Sequence, residues 1–302
     1  MDAPRHAYLI LAHNHPEQLR ILLSLLDDGR NDVFVHLDAK APFGSEALEG
    51  SCQRSALHFI EPRFEIHWGG VSIMRAELAL LRAAVSGGYT YYHLLSGQDL
   101  PIKDQDTIHA WFRTHDGELF LQYWRPKFYY PFRTRYYALF PEGAGKFWPM
   151  IANGIFKGLQ LITGWRINRG IDFRYASQWF SIPHDCAMYV LSQEAWLERV
   201  FAHTCLIDES FLATLVWNSP FRERLFDPTE HTSTSDIRNM AHLRFIDWTR
   251  GGPLRRHPWV FRKSDEPLLD SVPHFWARKF DIGRDAAIIH HIADKLKTDT
   301  SA

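Results

Sequence analysis

The chain is poor in the features that usually fix a class at a glance. Its three cysteines, Cys52, Cys186 and Cys205, are widely spaced and odd in number, so they supply neither a disulfide framework nor a zinc-ligand pattern. That scarcity favours a reducing compartment. No apolar run is long enough to span a bilayer, and the start, Met1-Asp2-Ala3-Pro4, lacks the charged and apolar regions of a signal peptide. A cytoplasmic location is therefore expected. Neither sign of charge is in excess: 34 Lys and Arg against 35 Asp and Glu give −1, which argues against a general polyanion binder and against nucleic acid as a partner. Any anion held here needs a local cluster of basic residues. Also missing are a G-x-x-x-x-G-K-[ST] loop, a G-x-G-x-x-G turn and a G-x-S-x-G elbow, which argues against phosphoryl transfer, dinucleotide redox chemistry and an α/β-hydrolase nucleophile. No D-x-D stands at a strand–loop position suited to manganese or magnesium. Neither His13-x-His15 nor His290-His291 has a carboxylate or cysteine partner at useful spacing. No metal and no cofactor are expected.

What the chain does contain is a core and a rhythm. With 46% hydrophobic and 23% charged residues over 302 positions, disorder is excluded and a large core can be buried. Residues 7–11 form an apolar run of strand length. Pro16 then opens a helix with Leu19, Leu22, Leu23 and Leu26 on one face, stopped near Gly29. Residues 33–37, 57–60, 91–95 and 118–123 read as further strands, and 73–85 and 104–114 as helices. Strands separated by single helices imply an α/β fold with a mostly parallel central sheet and helices on both faces. Ligands in such sheets collect at the carboxyl ends of the strands, which directs attention to Asp38 and Asp99. Beyond the middle come a strand near 178–182, helices near 184–201 and 208–217, and a last helix near 284–296.

The middle differs. Residues 124–146 carry Arg125, Lys127, Arg133 and Arg135 with aromatics between them and no acid before Glu142, as a loop over a ligand or a solvated surface would. Residues 147–165 carry one charge, Lys157, and place Ile151, Ile155, Phe156, Leu159 and Ile162 on one helical face. That helix either lies in a membrane interface or packs on the protein's own core. The second reading is preferred, because Gly154, Gly158 and Gly164 weaken an exposed helix. Asp208-Glu209 opens an apolar segment; the pair either complements a helix dipole or sets Glu209 in a cleft as general base. Between 244 and 263 six cations (Arg244, Arg250, Arg255, Arg256, Arg262, Lys263) face one acid, Asp247, with Arg278-Lys279 further on. Guanidinium forks and a lysine suit a diphosphate leaving group, and equally a solvated basic face. The aromatic content of 14%, with 11 Trp, suits stacking on sugars, though most of these rings belong to the core.

Seven segments, in order, carry a resemblance. They are His36-Leu37-Asp38-Ala39-Lys40, Trp68-Gly69-Gly70-Val71-Ser72 running into Arg75-Ala76-Glu77-Leu78, and Leu95-Ser96-Gly97-Gln98-Asp99-Leu100-Pro101-Ile102. Later come Ser177-Gln178-Trp179-Phe180, Asp208-Glu209-Ser210-Phe211-Leu212-Ala213-Thr214-Leu215, Leu243-Arg244-Phe245-Ile246-Asp247-Trp248 and Ala277-Arg278-Lys279-Phe280-Asp281. From about residue 6 to 282 the chain resembles the core-2/I-branching family, glycosyltransferase family 14, which holds β-1,6-N-acetylglucosaminyltransferases and peptide O-xylosyltransferases. The resemblance implies one continuous GT-A-like domain, with a nucleotide-sugar-binding half (1–125) and an acceptor-binding, catalytic half (126–302). It implies inverting, metal-independent transfer from a UDP-sugar to a hydroxyl of a glycan or lipid-linked glycan, with Glu209 as base. Arg256 and Lys279 would hold the diphosphate, with Asp38, Asp99, Val71 and Ser72 about the donor. Trp179 and Asp208 would face the acceptor. The stretch around Ser96-Gly97-Gln98-Asp99 leans to N-acetylglucosamine as donor, whereas Glu209-Ser210-Phe211 with Thr214 and Asn218-Ser219 leans to xylose; N-acetylglucosamine is favoured. A non-catalytic carbohydrate-binding protein is the alternative from another class. Eukaryotic members have an anchor, a stem and many disulfides that are not seen here, so localisation and acceptor do not carry over. The cytoplasmic expectation then includes the inner face of a membrane, with peripheral contact through 147–165.

Overall fold

The computed structural model describes residues 4–125, 131–143, 145–231, 239–251 and 257–299. In chain order they form β1 (His6–Ala12), α1 (Pro16–Leu26), β2 (Asn31–Leu37), β3 (Ala56–Phe59), α2 (Val71–Val85), β4 (Tyr91–Ser96), β5 (Asp99–Pro101) and α3 (Gln105–Thr114). There follow α4 (Pro131–Thr134), α5 (Phe147–Thr163), β6 (Ser181–Pro183), α6 (His184–Ser192), α7 (Glu194–Phe201), α8 (Phe211–Trp217), β7 (Arg244–Ile246), α9 (Glu266–Ser271), β8 (Trp276–Arg278) and α10 (Ala286–Asp299).

The main sheet runs β3-β2-β1-β4-β6, parallel except for β6, which pairs antiparallel with β4. Every residue of β1, β2 and β4 is buried, because each strand is covered on both faces, and each carries successive apolar residues, such as Ala7–Leu11, rather than strict alternation. One face packs Leu9, Phe34 and Leu94 under α2 and the helices after β6; the other packs Tyr8, Val35 and Leu95 under α1, α3 and α10. A second sheet, β5-β8-β7, joins the chain just after β4 to segments near the C-terminus. Residues beyond 126 thus complete one sheet and build most of the other.

Local signals account for several boundaries. Pro16 is pre-set for the first turn of α1, whose Leu19, Leu22, Leu23 and Leu26 are buried. Asp104 caps α3 by accepting from the Thr107 N–H at 2.8 Å. At the entry to α2, Gly69 adopts a left-handed φ of 69°, and a side chain on Gly70 would run into the Glu142 carboxylate. That carboxylate accepts from the Ser72 N–H and hydroxyl, both at 2.8 Å, and so closes the start of α2 from a distant loop.

Four expectations change. Residues 118–123 make isolated bridges instead of a strand, because their backbone partners, Leu225, Ser181, Ala176 and, for the next residue Trp124, His231, come from separate segments. The helix expected over 184–201 breaks at Gln193 into α6 and α7. The helix expected from 208 begins at Phe211, leaving Asp208 and Glu209 in the turn before it. Most pointedly, α5 is turned inside out. Its buried residues are Asn153 and Gln160, while Ile151, Ile155, Leu159 and Ile162 are exposed, so it does not pack its apolar face on the core.

Candidate active-site cleft

A cleft of about 660 Å³ opens at the carboxyl ends of β1, β2 and β4. Leu11, Ala12 and His13 enter it from β1, Asp38 and Lys40 from the end of β2, and Ser96 and Gln98 from the end of β4. The opposite wall is built from later segments: Ser177, Gln178 and Trp179 before β6, Leu206, Asp208 and Glu209 before α8, and Arg278 and Lys279 at the end of β8. Trp68 stands 72% exposed at the mouth, where its flat apolar face is available to a ligand.

The acid pair sits on a turn held from two sides. The Leu206 N–H donates to the Gly69 carbonyl at 2.7 Å, and the Ala176 N–H donates to the Glu209 carbonyl at 2.8 Å. Leu206 itself is left-handed, φ 54°, an uncommon conformation for a branched residue and one that clusters near functional sites. Glu209 is 37% exposed, and its Oε2 accepts from Arg133 Nη1 at 2.9 Å. Asp208 beside it is pushed up to about 7, first by its burial and then by the charge of Glu209, with Arg133 pulling the other way. Beneath the pair, buried Glu77 of α2 accepts from Gln178 Nε2 at 2.9 Å. Burial, and more weakly the charge of Asp208, holds the Glu77 carboxyl well above the usual carboxylate range. In Asp208 and Glu77 alike, burial is the first cause that disfavours the charged carboxylate.

The cationic side is built on β8. Arg278 Nη1 donates to Asp99 Oδ1 at 2.8 Å, and its guanidinium lies 4.4 Å from the centre of the Trp179 ring. Lys279 is pushed down by burial and then by the like charge of Arg278. Asp38 accepts from the Lys40 N–H at 2.8 Å, and its loop is fixed by Arg63 donating to the carbonyls of Leu37 and Asp38. His13 is lowered by burial, which outweighs Asp38.

The cleft therefore gathers Asp38, Trp179, Asp208, Glu209 and Lys279. Asp99, Val71 and Ser72 do not line it. Asp99 is wholly buried under Arg278, Val71 lies in the core, and Ser72 is engaged by Glu142. Arg256 lies outside the described residues, as do Arg255 and Lys127. Of the other cations in 244–263, Arg244 is buried, donating to the carbonyls of Leu94, Phe180 and His242, and Arg250 pairs with Asp247 and Asp265. Arg133 and Arg278, which the sequence reading did not assign to the site, both line the cleft. The signal for Arg278 was its position beside Lys279. Arg133 had none that set it apart from Arg135, which donates to the carbonyls of Asn168 and Ile171. The chain's D-x-D, Asp104-Gln105-Asp106, serves α3: Asp104 caps it and Asp106 pairs with Arg30. Among the described residues no three His, Cys, Asp or Glu side chains are grouped to hold a metal ion.

The model of the core-2/I-branching enzyme family matches residues 6–266. The chain belongs to that family. This core-2/I-branching member is 24% identical over 296 residues to xylosyltransferase 2 of Canis lupus familiaris, covering 93% of this chain and 32% of that protein. It is 21% identical to xylosyltransferase 1 of Homo sapiens, covering 92% of this chain and 29% of the relative, and 23% identical to the xylosyltransferase of Ciona intestinalis, covering 98% and 34%. The chain thus spans about a third of the length of these relatives. A solved structure, mouse xyloside xylosyltransferase 1 in its apo form, aligns at a TM-score of 0.34 and 11% identity over 72% of this chain and 83% of that one, a likeness too slight to bear on the site.

Proposed function

We propose that this core-2/I-branching member transfers a sugar from a UDP donor to a hydroxyl of a glycan, free or lipid-linked, by a single inverting displacement without a metal. The observation that carries this is the meeting of the Asp208-Glu209 pair and the Arg278-Lys279 pair in one cleft at the strand ends. Glu209 removes the proton from the acceptor hydroxyl as that oxygen attacks the anomeric carbon. The bond from that carbon to the UDP oxygen breaks, and Lys279 with Arg278 stabilises the charge on the departing diphosphate. Arg256 is proposed to act alongside them. Asp38 is on the donor side, and Trp179, under the Arg278 guanidinium, borders the acceptor.

For the donor, the sequence favoured N-acetylglucosamine, whereas the curated relatives above are named xylosyltransferases. They support UDP-xylose as the donor to test first, with UDP-N-acetylglucosamine second. Thermal-shift screening of UDP-sugars reads the donor directly, since a ligand bound only by the folded state raises the melting temperature. Glu209→Gln is expected to lower turnover by about 10²–10⁴-fold in a protein that still folds. Full activity in that variant removes Glu209 as the base, and binding of UDP-sugars with no transfer to any glycan returns the protein to the carbohydrate-binding class.

A further inference from the structure

The α5 helix has a use that transfer chemistry leaves unexplained. It is fastened to the protein through its polar residues. Asn153 accepts from the Phe140 N–H at 3.0 Å and donates to the Phe140 carbonyl at 2.9 Å. One turn-pair further on, Gln160 accepts from the Tyr137 N–H and donates to the Tyr137 carbonyl, both at 2.9 Å. Each amide thus grips one residue's backbone with both its donor and its acceptor, and the helix is oriented with its apolar side facing away. Trp148 is 74% exposed, Ile155 64%, Leu159 53% and Ile162 84%. Phe147 and Trp165 extend this exposed surface at the two ends of the helix. A soluble surface rarely leaves a contiguous apolar face of this kind uncovered.

The surroundings say what covers it. From Gly143 to Ile171 the sequence contains Lys146, Lys157, Arg166 and Arg169 and no Asp or Glu. Lys146 precedes the helix, and Arg166 and Arg169 follow it, so cations stand at both ends of the apolar face. Tryptophans near each end match the preference of that ring for the boundary between apolar and polar layers. With 17 residues the helix is about 25 Å long, and among the described residues no helix is long and apolar enough to cross a membrane. A second copy of the chain would bring the same cations against one another, whereas anionic headgroups would neutralise them.

We propose that α5 is a membrane-docking helix that lies flat in the interface of a bilayer bearing anionic headgroups, with Ile155, Leu159 and Ile162 in the acyl boundary. The face is reached from the cleft through α4: Arg133 lines the cleft, and its neighbour Phe132 is in contact with Lys157 of α5, 5.7 Å from the ring centre. α4 thus links the cleft wall to α5.

The test is flotation of the full chain with vesicles of phosphatidylcholine alone and of phosphatidylcholine mixed with phosphatidylglycerol, which does not depend on transfer activity. The chain is expected to float with the mixed vesicles and much less with phosphatidylcholine alone. The double variant Ile155→Glu, Ile162→Glu, whose changes lie on the exposed face and whose fold is checked by its melting temperature, should lose binding by more than tenfold. Lys146→Glu and Arg169→Glu should each weaken binding to the mixed vesicles about fivefold, and added salt should do the same. Absence of flotation with both vesicle types overturns the proposal, as does undiminished binding by the folded double variant. Sedimentation showing a dimer that the double variant dissociates also overturns it, by assigning the face to a second copy.

Discussion

The proton held by Asp208 gives the cleft a stability signature that can be read without knowing the substrate. The carboxyl is pushed from its ordinary 3.8 up to about 7, by burial first and by the Glu209 charge second. The folded protein therefore binds this proton more tightly than the unfolded chain does. The contribution to stability is fully present below about pH 4 and is lost as pH rises through about 7. A shift of about three units, at about 1.4 kcal/mol each, sets a ceiling of about 4 kcal/mol. Asp208 lines an open cleft, so water screens part of this, and about 1–2 kcal/mol is the expected size. Asp208→Asn keeps the shape and removes the titration. The variant should match the wild type near pH 4 and exceed it by about 1–2 kcal/mol near pH 8, equivalent to about 2–5 °C in melting temperature. Because Glu209 is the second cause, adding Glu209→Gln should lower the Asp208 carboxyl and move the pH-dependent loss to more acid pH. Melting curves by scanning fluorimetry across pH 4 to 8, for the wild type, Asp208→Asn, Glu209→Gln and the double variant, decide the matter. An Asp208→Asn variant equally displaced from the wild type at every pH would refute the assignment of a raised carboxyl at this position. A displacement unchanged by Glu209→Gln would refute the coupling between the two acids.

Other expectations follow from single contacts. Arg278→Ala leaves the wholly buried Asp99 without its guanidinium, which should cost about 3–5 kcal/mol in denaturant unfolding; a loss below about 1 kcal/mol would mean that the Ser96 N–H, 2.9 Å from Asp99, suffices. Gly70→Ala places a methyl where the Glu142 carboxylate sits, so Glu142 must release Ser72 and the start of α2; about 1–2 kcal/mol is expected, and an unchanged melting temperature would show that Glu142 moves without loss. Transfer should persist in excess chelator if Lys279 and Arg278 supply the charge at the leaving group, and complete loss restored by a divalent cation contradicts the metal-free reading.

The sheet was legible because buried parallel strands leave a direct trace. Residues 7–11 are apolar or aromatic throughout, 33–37 and 91–95 are so except at His36 and His93, and each run lies within a strand whose every residue is buried. Residues 118–123 also carry Leu119, Phe120, Leu121 and Tyr123, but pairing is a property of the partner. Their bridge partners, Leu225, Ser181 and Ala176, do not lie on one continuous strand, so no ladder forms. In α5, periodicity shows that two faces exist without showing which faces inward. That is settled by Asn153 and Gln160 finding the Phe140 and Tyr137 backbones, contacts made only once the chain has folded. A similar limit governs the cleft. Asp38 lines the cleft at the end of β2, the position to which strand ends in this topology direct attention. Val71 and Ser72 do not line the cleft because the chain turns at Gly69-Gly70: Trp68 stays at the mouth, and the next two side chains are carried into the core and against Glu142. Arg133 and Arg135, two residues apart, show the limit most plainly. One meets Glu209 and the other meets the carbonyls of Asn168 and Ile171, so which guanidinium serves the site depends on where distant oxygens fall. Nothing in the residue types distinguishes them. A cation's function in this protein is therefore set by competition between carboxylates in the cleft and backbone oxygens in the wall, and a sequence reading that counts basic residues identifies the neighbourhood but cannot assign the roles.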